Sequence, residues 1–282
     1  MKKIGSIAVC GAGTMGRGIA QAAIESGFDT ILFDTNEEIL KAAAEEISRS
    51  LFSLVQKGKI SEEERNHALN KFSITSNIIE VKAELIIEAI IEKTEAKKSL
   101  FEKLEQNNKQ SILASNTSSL SINEIAKGLS RPENFAGLHF FNPATIMKLV
   151  EIVTGKQTSE ETKNVLSEVV HQMKKTAVFC KDDPGFIVNH VARHYYLESL
   201  RLVESGNTNP EQVDRILEAT GFKMGPFKLM DLIGNDINYA VSKSVYEALG
   251  SPERLKPSEL QKSMVESGKL GKKSGRGYYD YE

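Results

Sequence analysis

The stretch GLHFFNPATIMKLVEIVTG, residues 137–155, reads as apolar strand, yet it carries His139 and Glu151. The two lie 12 residues apart, on apolar runs joined by a turn at Pro143. Burying such groups is costly unless each finds a partner. Strands connected in this way can set the two side chains together. A buried carboxylate there favours the protonated imidazole and fixes its tautomer. This is the arrangement of general acid–base chemistry, in which the acid orients the ring and the ring handles a proton. A lone histidine satisfied inside a core is the common alternative, and the residues alone leave both readings open. The glutamate in KLVEIV, with apolar neighbours on both sides, is harder to explain as plain packing.

A second constellation is VCGAGTMGRG, with Gly11, Gly13 and Gly16 as G-x-G-x-x-G and with Thr14 and Met15 between the last two glycines. Gly11 permits a tight turn out of a strand, Gly13 lets the backbone approach a pyrophosphate, and Gly16 lets the helix pack closely on the sheet. The helix start then offers free N–H groups and the positive end of its dipole to phosphate. Asp34, 18 residues after Gly16 at the end of the next apolar run, stands where an acid receives the ribose hydroxyls of a dinucleotide. A carboxylate there accepts from a free 2′-hydroxyl and repels a 2′-phosphate, which favours NAD over NADP; Arg17, nearby on the helix, weighs against that preference.

Further polar groups stand at places where open α/β sheets bind ligands. ASNTSS, residues 114–119, follows an apolar run and supplies Asn116, Thr117, Ser118 and Ser119; it reads equally as a polar loop. Asn189, in the first turns of a helical pattern after Pro184-Gly185, is a poor helix former that faces either a cleft or solvent. His190 and His194 have i, i+4 spacing, but no third ligand accompanies them, and no metal is expected.

The elements that must position these groups alternate through the first two thirds of the chain. Strands are predicted at 7–10, 30–33, 72–75, 85–89, 111–114, 135–141, 149–153 and 177–180, separated by helical patterns. A long amphipathic helix is predicted from about 37 to 57, with Ile39, Leu40, Ile47, Leu51 and Leu54 on its buried face. Ser61 with Glu64, and Ser121 with Glu124, have capping-box spacing. Strands and helices in this order imply an α/β fold with a Rossmann-type, mostly parallel sheet. After Gly185 only helical patterns follow until the last few residues. We therefore expect a dinucleotide-binding domain over 1–185 and an all-helical domain over 186–282.

Composition fits a globular protein, at 40% apolar and 26% charged residues. A net charge of −2 supplies no field to attract nucleic acid or a membrane surface, so neither is expected as a partner. No apolar run approaches the roughly 18 residues of a membrane span. The short apolar run at the N-terminus leads into the glycine motif rather than a cleavage site and is read as the first strand. Two distant cysteines, Cys10 and Cys180, read as reduced core residues, which suits a cytoplasmic setting.

Taken together, GAGTMGRGIA, IIEAIIEK, ILASNTSSL, FAGLHFFNP, MKLVEIV, KDDPGFIVN, MGPFKLMDLIG and LGKKSGRGYYDY resemble, in order and spacing, the blocks of the L-3-hydroxyacyl-CoA dehydrogenase family. The resemblance covers essentially the whole chain, at the length of the stand-alone form that includes 3-hydroxybutyryl-CoA dehydrogenases. It implies NAD as cofactor, an acyl-CoA substrate, and a homodimer formed through the helical domain. It also implies His139 as catalytic base and Glu151 as its orienting acid, with Ser118 and Asn189 on the reacting oxygen of the substrate. Glu92 and Lys97 would meet the cofactor's ribose region, Asn116 and Asn142 its nicotinamide side, and Lys273 would reach it from the C-terminal domain. Arg49 and Lys57, on the long helix, would meet the anionic coenzyme A moiety. Ala144-Thr145 stand where the family commonly has Val-Pro, a change in a loop that bears on the acyl pocket. Two other readings are a β-hydroxyacid dehydrogenase of another family and a dinucleotide-sensing protein without turnover. The first relies on a lysine in the helix after Pro184, and no lysine occurs between Pro184 and Glu204.

Overall fold

The apolar runs of the N-terminal part pair into one eight-stranded sheet in the computed structural model, which describes residues 3–281. The strands are β1 (Ser6–Cys10), β2 (Asp29–Phe33), β3 (Phe72–Thr75), β4 (Leu85–Glu88), β5 (Ile112–Ser115), β6 (Phe135–Phe140), β7 (Leu149–Thr154) and β8 (Thr176–Lys181). Their spatial order is β3-β2-β1-β4-β5-β6-β7-β8. Neighbours are parallel throughout except for β6 with β7. Parallel strands need a crossover, and the chain supplies helices for it. These are α1 (Thr14–Glu25), α2 (Glu37–Gln56), α3 (Glu62–Asn70), α4 (Thr94–Asn107), α5 (Ile122–Ala126) and α6 (Glu160–Gln172). Between β6 and β7 the loop carries no helix, and the chain turns back on itself.

Strand order reverses at β1, which sends the chain to β2 on one side and borders β4 on the other. The carboxyl ends of β1 and β4 therefore flank a switch point, the place where open α/β sheets hold ligands. The strands beneath it are apolar on both faces, and Ile7, Val9, Leu85, Ile87, Ala114 and Leu138 are buried in one core with the inner faces of α1, α2 and α6. On α2 the buried stripe is Leu40, Ala43, Ile47 and Leu51. Ile39 departs from expectation: it is 44% exposed, because it lies beside the stripe rather than on it. The Ser61 capping box forms in full at α3. At α5 the expected reciprocal pair is replaced. Ser121 accepts the Glu124 N–H, Glu124 turns to Lys127, and Asp182 takes the N–H groups of Ile122 and Asn123.

The chain divides into two compact units, Met1–Asp183 and Pro184–Glu282. The second contains α7 (Val188–Glu204), α8 (Pro210–Ala219), α9 (Pro226–Ile233), α10 (Asn235–Ala248) and α11 (Glu259–Glu266). Tyr196, Leu197, Leu200, Phe227, Met230 and Val245 form its core. Pro210 and Pro226 each stand at a helix start, where the missing N–H costs nothing.

Gly13 and Gly16 differ in the room around them. A Cβ on Gly16 would stand 1.7 Å from the Gly11 carbonyl oxygen, whereas one on Gly13 meets nothing within 4 Å. In urea unfolding, Gly16→Ala is expected to lose about 1–3 kcal/mol through overpacking. Gly13→Ala is expected to stay within about 0.5 kcal/mol of wild type. Equal midpoints for the two variants would refute the steric account.

Candidate active site

The antiparallel register sets His139 directly opposite Glu151. Leu138 and Phe140 on β6 and Val150 and Ile152 on β7 turn into the core, so strand alternation puts His139 and Glu151 together on the other face. His139 Nδ1 and Glu151 Oε2 are 2.8 Å apart. Both residues are buried, at 5% and 1% exposure. The Phe141 ring packs against the imidazole, with centroids 4.5 Å apart. Nδ1 is thus committed to the carboxylate, a contact that holds the ring plane.

The glycine turn leaves β1 with the Gly11 N–H donating to the Phe33 carbonyl at 2.7 Å. Asp34 closes the same turn: one carboxylate oxygen accepts the Ala12 N–H at 2.8 Å and the other the Asn36 N–H at 3.0 Å. No side chain caps the start of α1 at Gly13, so no side-chain acceptor occupies its end. Gly13 and Thr14 are exposed and Met15 half-buried. An open helix start, room over Gly13 and a ribose-side carboxylate fit the pyrophosphate and adenosine ribose of a dinucleotide. Arg17, the nearby cation that would favour a 2′-phosphate, is paired instead with Glu46 on α2.

A third group gathers where β4 and β5 end. Lys97 on α4 is 1% exposed, and its ammonium lies 2.5 Å from Glu88 and 3.1 Å from Glu92. Enclosed in this way, Lys97 offers almost no surface of its own, and its ammonium is taken up by the two carboxylates. Glu92 in turn accepts from the Thr117 hydroxyl at 2.6 Å and the Ser118 N–H at 2.8 Å. Asn116 Oδ1 accepts the Phe140 N–H at 2.8 Å, tying the end of β5 to the strand that carries the imidazole. Burial pushes the Glu92 carboxyl up, but the Lys97 ammonium and the Thr117 and Ser118 donors outweigh it and hold Glu92 below the usual carboxylate range. For Glu88, burial wins over Lys97 and the Ser115 and Ile90 donors, and its carboxyl stands above that range.

Asn142 lies exposed in the loop after β6, and Asn189 is the second residue of α7. Lys273 is exposed in the C-terminal segment and pairs with Asp236 at 2.6 Å. Arg49 and Lys57 are both exposed, at the last turns and the C-cap of α2. His190 donates from its ring to the Pro184 carbonyl at 3.1 Å. Among the described residues no group of three or more His, Cys, Asp or Glu side chains could hold a metal ion. Sequence reasoning missed Glu88 and Ser115. The available signal was a glutamate at the end of the apolar run LIIE, the same kind of anomaly that drew attention to Glu151.

A doubly wound sheet with an open glycine turn at its switch point, followed in sequence by an all-helical unit, is a dinucleotide-binding architecture. The sequence profile of the 3-hydroxyacyl-CoA dehydrogenase NAD binding domain matches residues 6–183, and that of the 3-hydroxyacyl-CoA dehydrogenase C-terminal domain matches residues 185–281. The chain is 44% identical to the 3-hydroxyadipyl-CoA dehydrogenase of Escherichia coli over all of its own length and 60% of that protein's. It therefore spans about three fifths of that relative. It is 39% identical to a probable 3-hydroxybutyryl-CoA dehydrogenase of Deinococcus radiodurans, covering 97% of this chain and 99% of the relative. The crystal structure of (S)-3-hydroxybutyryl-CoA dehydrogenase PaaH1 from Ralstonia eutropha superposes with a TM-score of 0.95 at 32% identity, over 99% of this chain and 100% of that one. The chain belongs to the 3-hydroxyacyl-CoA dehydrogenase family and is an NAD-dependent oxidoreductase of that family.

A carboxyl held below its ordinary value contributes stability above its unfolded pKa of about 4.3 and loses it as pH falls through the lower folded value. Glu92→Gln is therefore expected to be less stable than wild type at pH 7, with the gap closing as pH is lowered through the carboxylate range. Urea unfolding at several pH values measures this; a gap that widened in acid would contradict the ion-pair account.

Proposed function

We propose that the protein interconverts (S)-3-hydroxyacyl-CoA and 3-oxoacyl-CoA, with 3-hydroxybutyryl-CoA and acetoacetyl-CoA as the substrate pair. The observation that carries this reading is the buried His139–Glu151 pair, with Nδ1 and Oε2 at 2.8 Å, on strands of a dinucleotide-binding sheet. The names of the Deinococcus and Ralstonia relatives support the four-carbon substrate. The E. coli relative's name makes a longer acyl chain with a terminal carboxylate the competing choice.

When bound, NAD supplies the acceptor, or in reverse the donor, of the hydride at substrate C3. His139 removes the hydroxyl proton at Nε2 as C3 is oxidised, and returns it when the ketone is reduced. Glu151 keeps Nδ1 as the donor side of the ring and offsets the charge that His139 gains. Ser118 and Asn189 hydrogen-bond the reacting oxygen. Gly11, Gly13, Thr14, Met15 and Gly16 hold the pyrophosphate, and Asp34 the adenosine ribose. Glu92, held by Lys97, meets the ribose on the nicotinamide side, with Asn116, Asn142 and Lys273 completing the cofactor contacts. Arg49 and Lys57 meet the coenzyme A phosphates. A homodimer through the helical unit belongs to the same reading, since Val191, Ile216 and Phe222 there are largely exposed. So does a reducing, cytoplasmic setting, since both cysteines are free thiols.

General acid–base catalysis contributes about 10²–10⁴-fold. His139→Ala and Glu151→Gln are each expected to lower kcat for acetoacetyl-CoA reduction by at least about 100-fold while NADH affinity stays within a factor of about 3. Absorbance of NADH follows the first quantity and fluorescence titration the second. Near-wild-type kcat in either variant removes the assigned roles. NADH binding without any oxidation by the wild-type protein would favour the sensing alternative.

A further inference from the structure

Glu88 has no part in the chemistry proposed above, yet it ends the central strand β4 with 0% exposure and a full set of donors. Lys97 Nζ donates to its Oε1 at 2.5 Å, the Ile90 N–H to the same oxygen at 2.7 Å, and the Ser115 hydroxyl to Oε2 at 2.6 Å. These donors come from α4, from the loop after β4 and from β5, so the carboxylate is fixed by three separate segments. The ammonium that it holds is the one that reaches Glu92 at 3.1 Å. Glu92 then accepts the N–H of Ser118 at 2.8 Å and its hydroxyl at 3.3 Å. An unbroken chain of charge-assisted contacts thus runs from a buried strand end to Glu92, whose side chain is 38% exposed, and to Ser118.

A purely structural requirement at the end of β4 would be met as well by apolar side chains, because replacing a buried ion pair with packed hydrophobic groups is often neutral or stabilising. An ammonium is a flexible point charge on a four-carbon stem, and a single carboxylate does not fix its position. With Glu88 present, Lys97 is held from below and Glu92 has one place at which to meet it. We infer that Glu88 is a positioning residue for the cofactor side of the site: by anchoring Lys97 it sets the position of Glu92, and through Glu92 that of Ser118. The inference rests on the reading of Glu92 and Ser118 given under the proposed function.

The test is a double-mutant cycle on NADH affinity, read by fluorescence titration of the full-length protein, with KM for acetoacetyl-CoA as a second readout. Glu92→Gln and Glu88→Gln are each expected to weaken NADH binding about tenfold, the scale of a hydrogen bond to a charged group. The double variant is expected to be no more than about twofold weaker than the weaker single, because both substitutions cut one chain. A role in folding alone would lower the unfolding midpoint and leave the affinity of the folded protein unchanged. Wild-type NADH affinity in Glu88→Gln, or effects that multiply in the double variant, overturns the inference while leaving Glu92 in its place. Wild-type affinity in Glu92→Gln instead overturns the cofactor assignment of Glu92, and the inference with it. If Glu88→Gln does not fold, Ser115→Ala removes one donor and leaves every charge. It is expected to weaken NADH binding about threefold, without adding to Glu92→Gln, and unchanged affinity overturns the inference.

Discussion

Pairing β6 against β7 forces His139 to face Glu151, because residues directly opposite on antiparallel strands project to the same side of the sheet. A slip of β7 by one residue would turn Glu151 into the core, where Ile152 now packs, and away from the imidazole. The apolar alternation therefore puts the imidazole and the acid on one face, and the observed register sets them directly opposite each other. The short connection matters as well. Among the described residues β6–β7 is the one antiparallel pair of the sheet, and only such a pair closes within so short a loop.

The N-terminal unit stabilises its buried acids with cations or an imidazole. Glu151 has the His139 ring, and Glu88 and Glu92 share the Lys97 ammonium. A single ammonium between two carboxylates leaves a surplus negative charge, and the two acids divide it unequally. The fully buried one is pushed above the usual range, and the partly exposed one, richer in donors, is drawn below it. Such an arrangement is costly to assemble in a low-dielectric interior, since each ion gives up its hydration. It stands at the carboxyl end of β4, beside the switch point of the sheet.

Much of this was legible in the chain. The glycine turn, Asp34 and the alternation of strands and helices specified a mostly parallel sheet with a ligand edge, because each of those signals is local. Glu151 was legible for a different reason: a carboxylate between apolar neighbours has to find a partner. Glu88 carried the same signal but went unread, since its partners lie 9 residues on along the chain in α4 and 27 residues on in β5, and only the sheet brings them together. Ile39 shows the converse limit. Helical spacing drew it onto the apolar face of α2, yet the stripe against the sheet is narrower than the periodicity suggests, and its side chain faces water.

The helical unit solves the same problem without counter-ions. Asp231 is 1% exposed and accepts the N–H groups of Tyr278 and Tyr279, the Tyr281 hydroxyl at 3.0 Å and the Asn235 amide at 2.8 Å. Asp214 accepts the N–H groups of Phe227 and Lys228, at the start of α9, together with the Tyr279 hydroxyl at 2.8 Å. Backbone donors and a helix start do here what Lys97 does in the other unit. Burial and the adjacent acids push the Tyr279 and Tyr281 phenols well above their ordinary range, which favours the protonated, donating form. The two aspartates thereby fasten the C-terminal segment that carries Lys273 onto α8 and α9. The Lys273–Asp236 ion pair, at 2.6 Å, adds a charged tie from the same segment to α10.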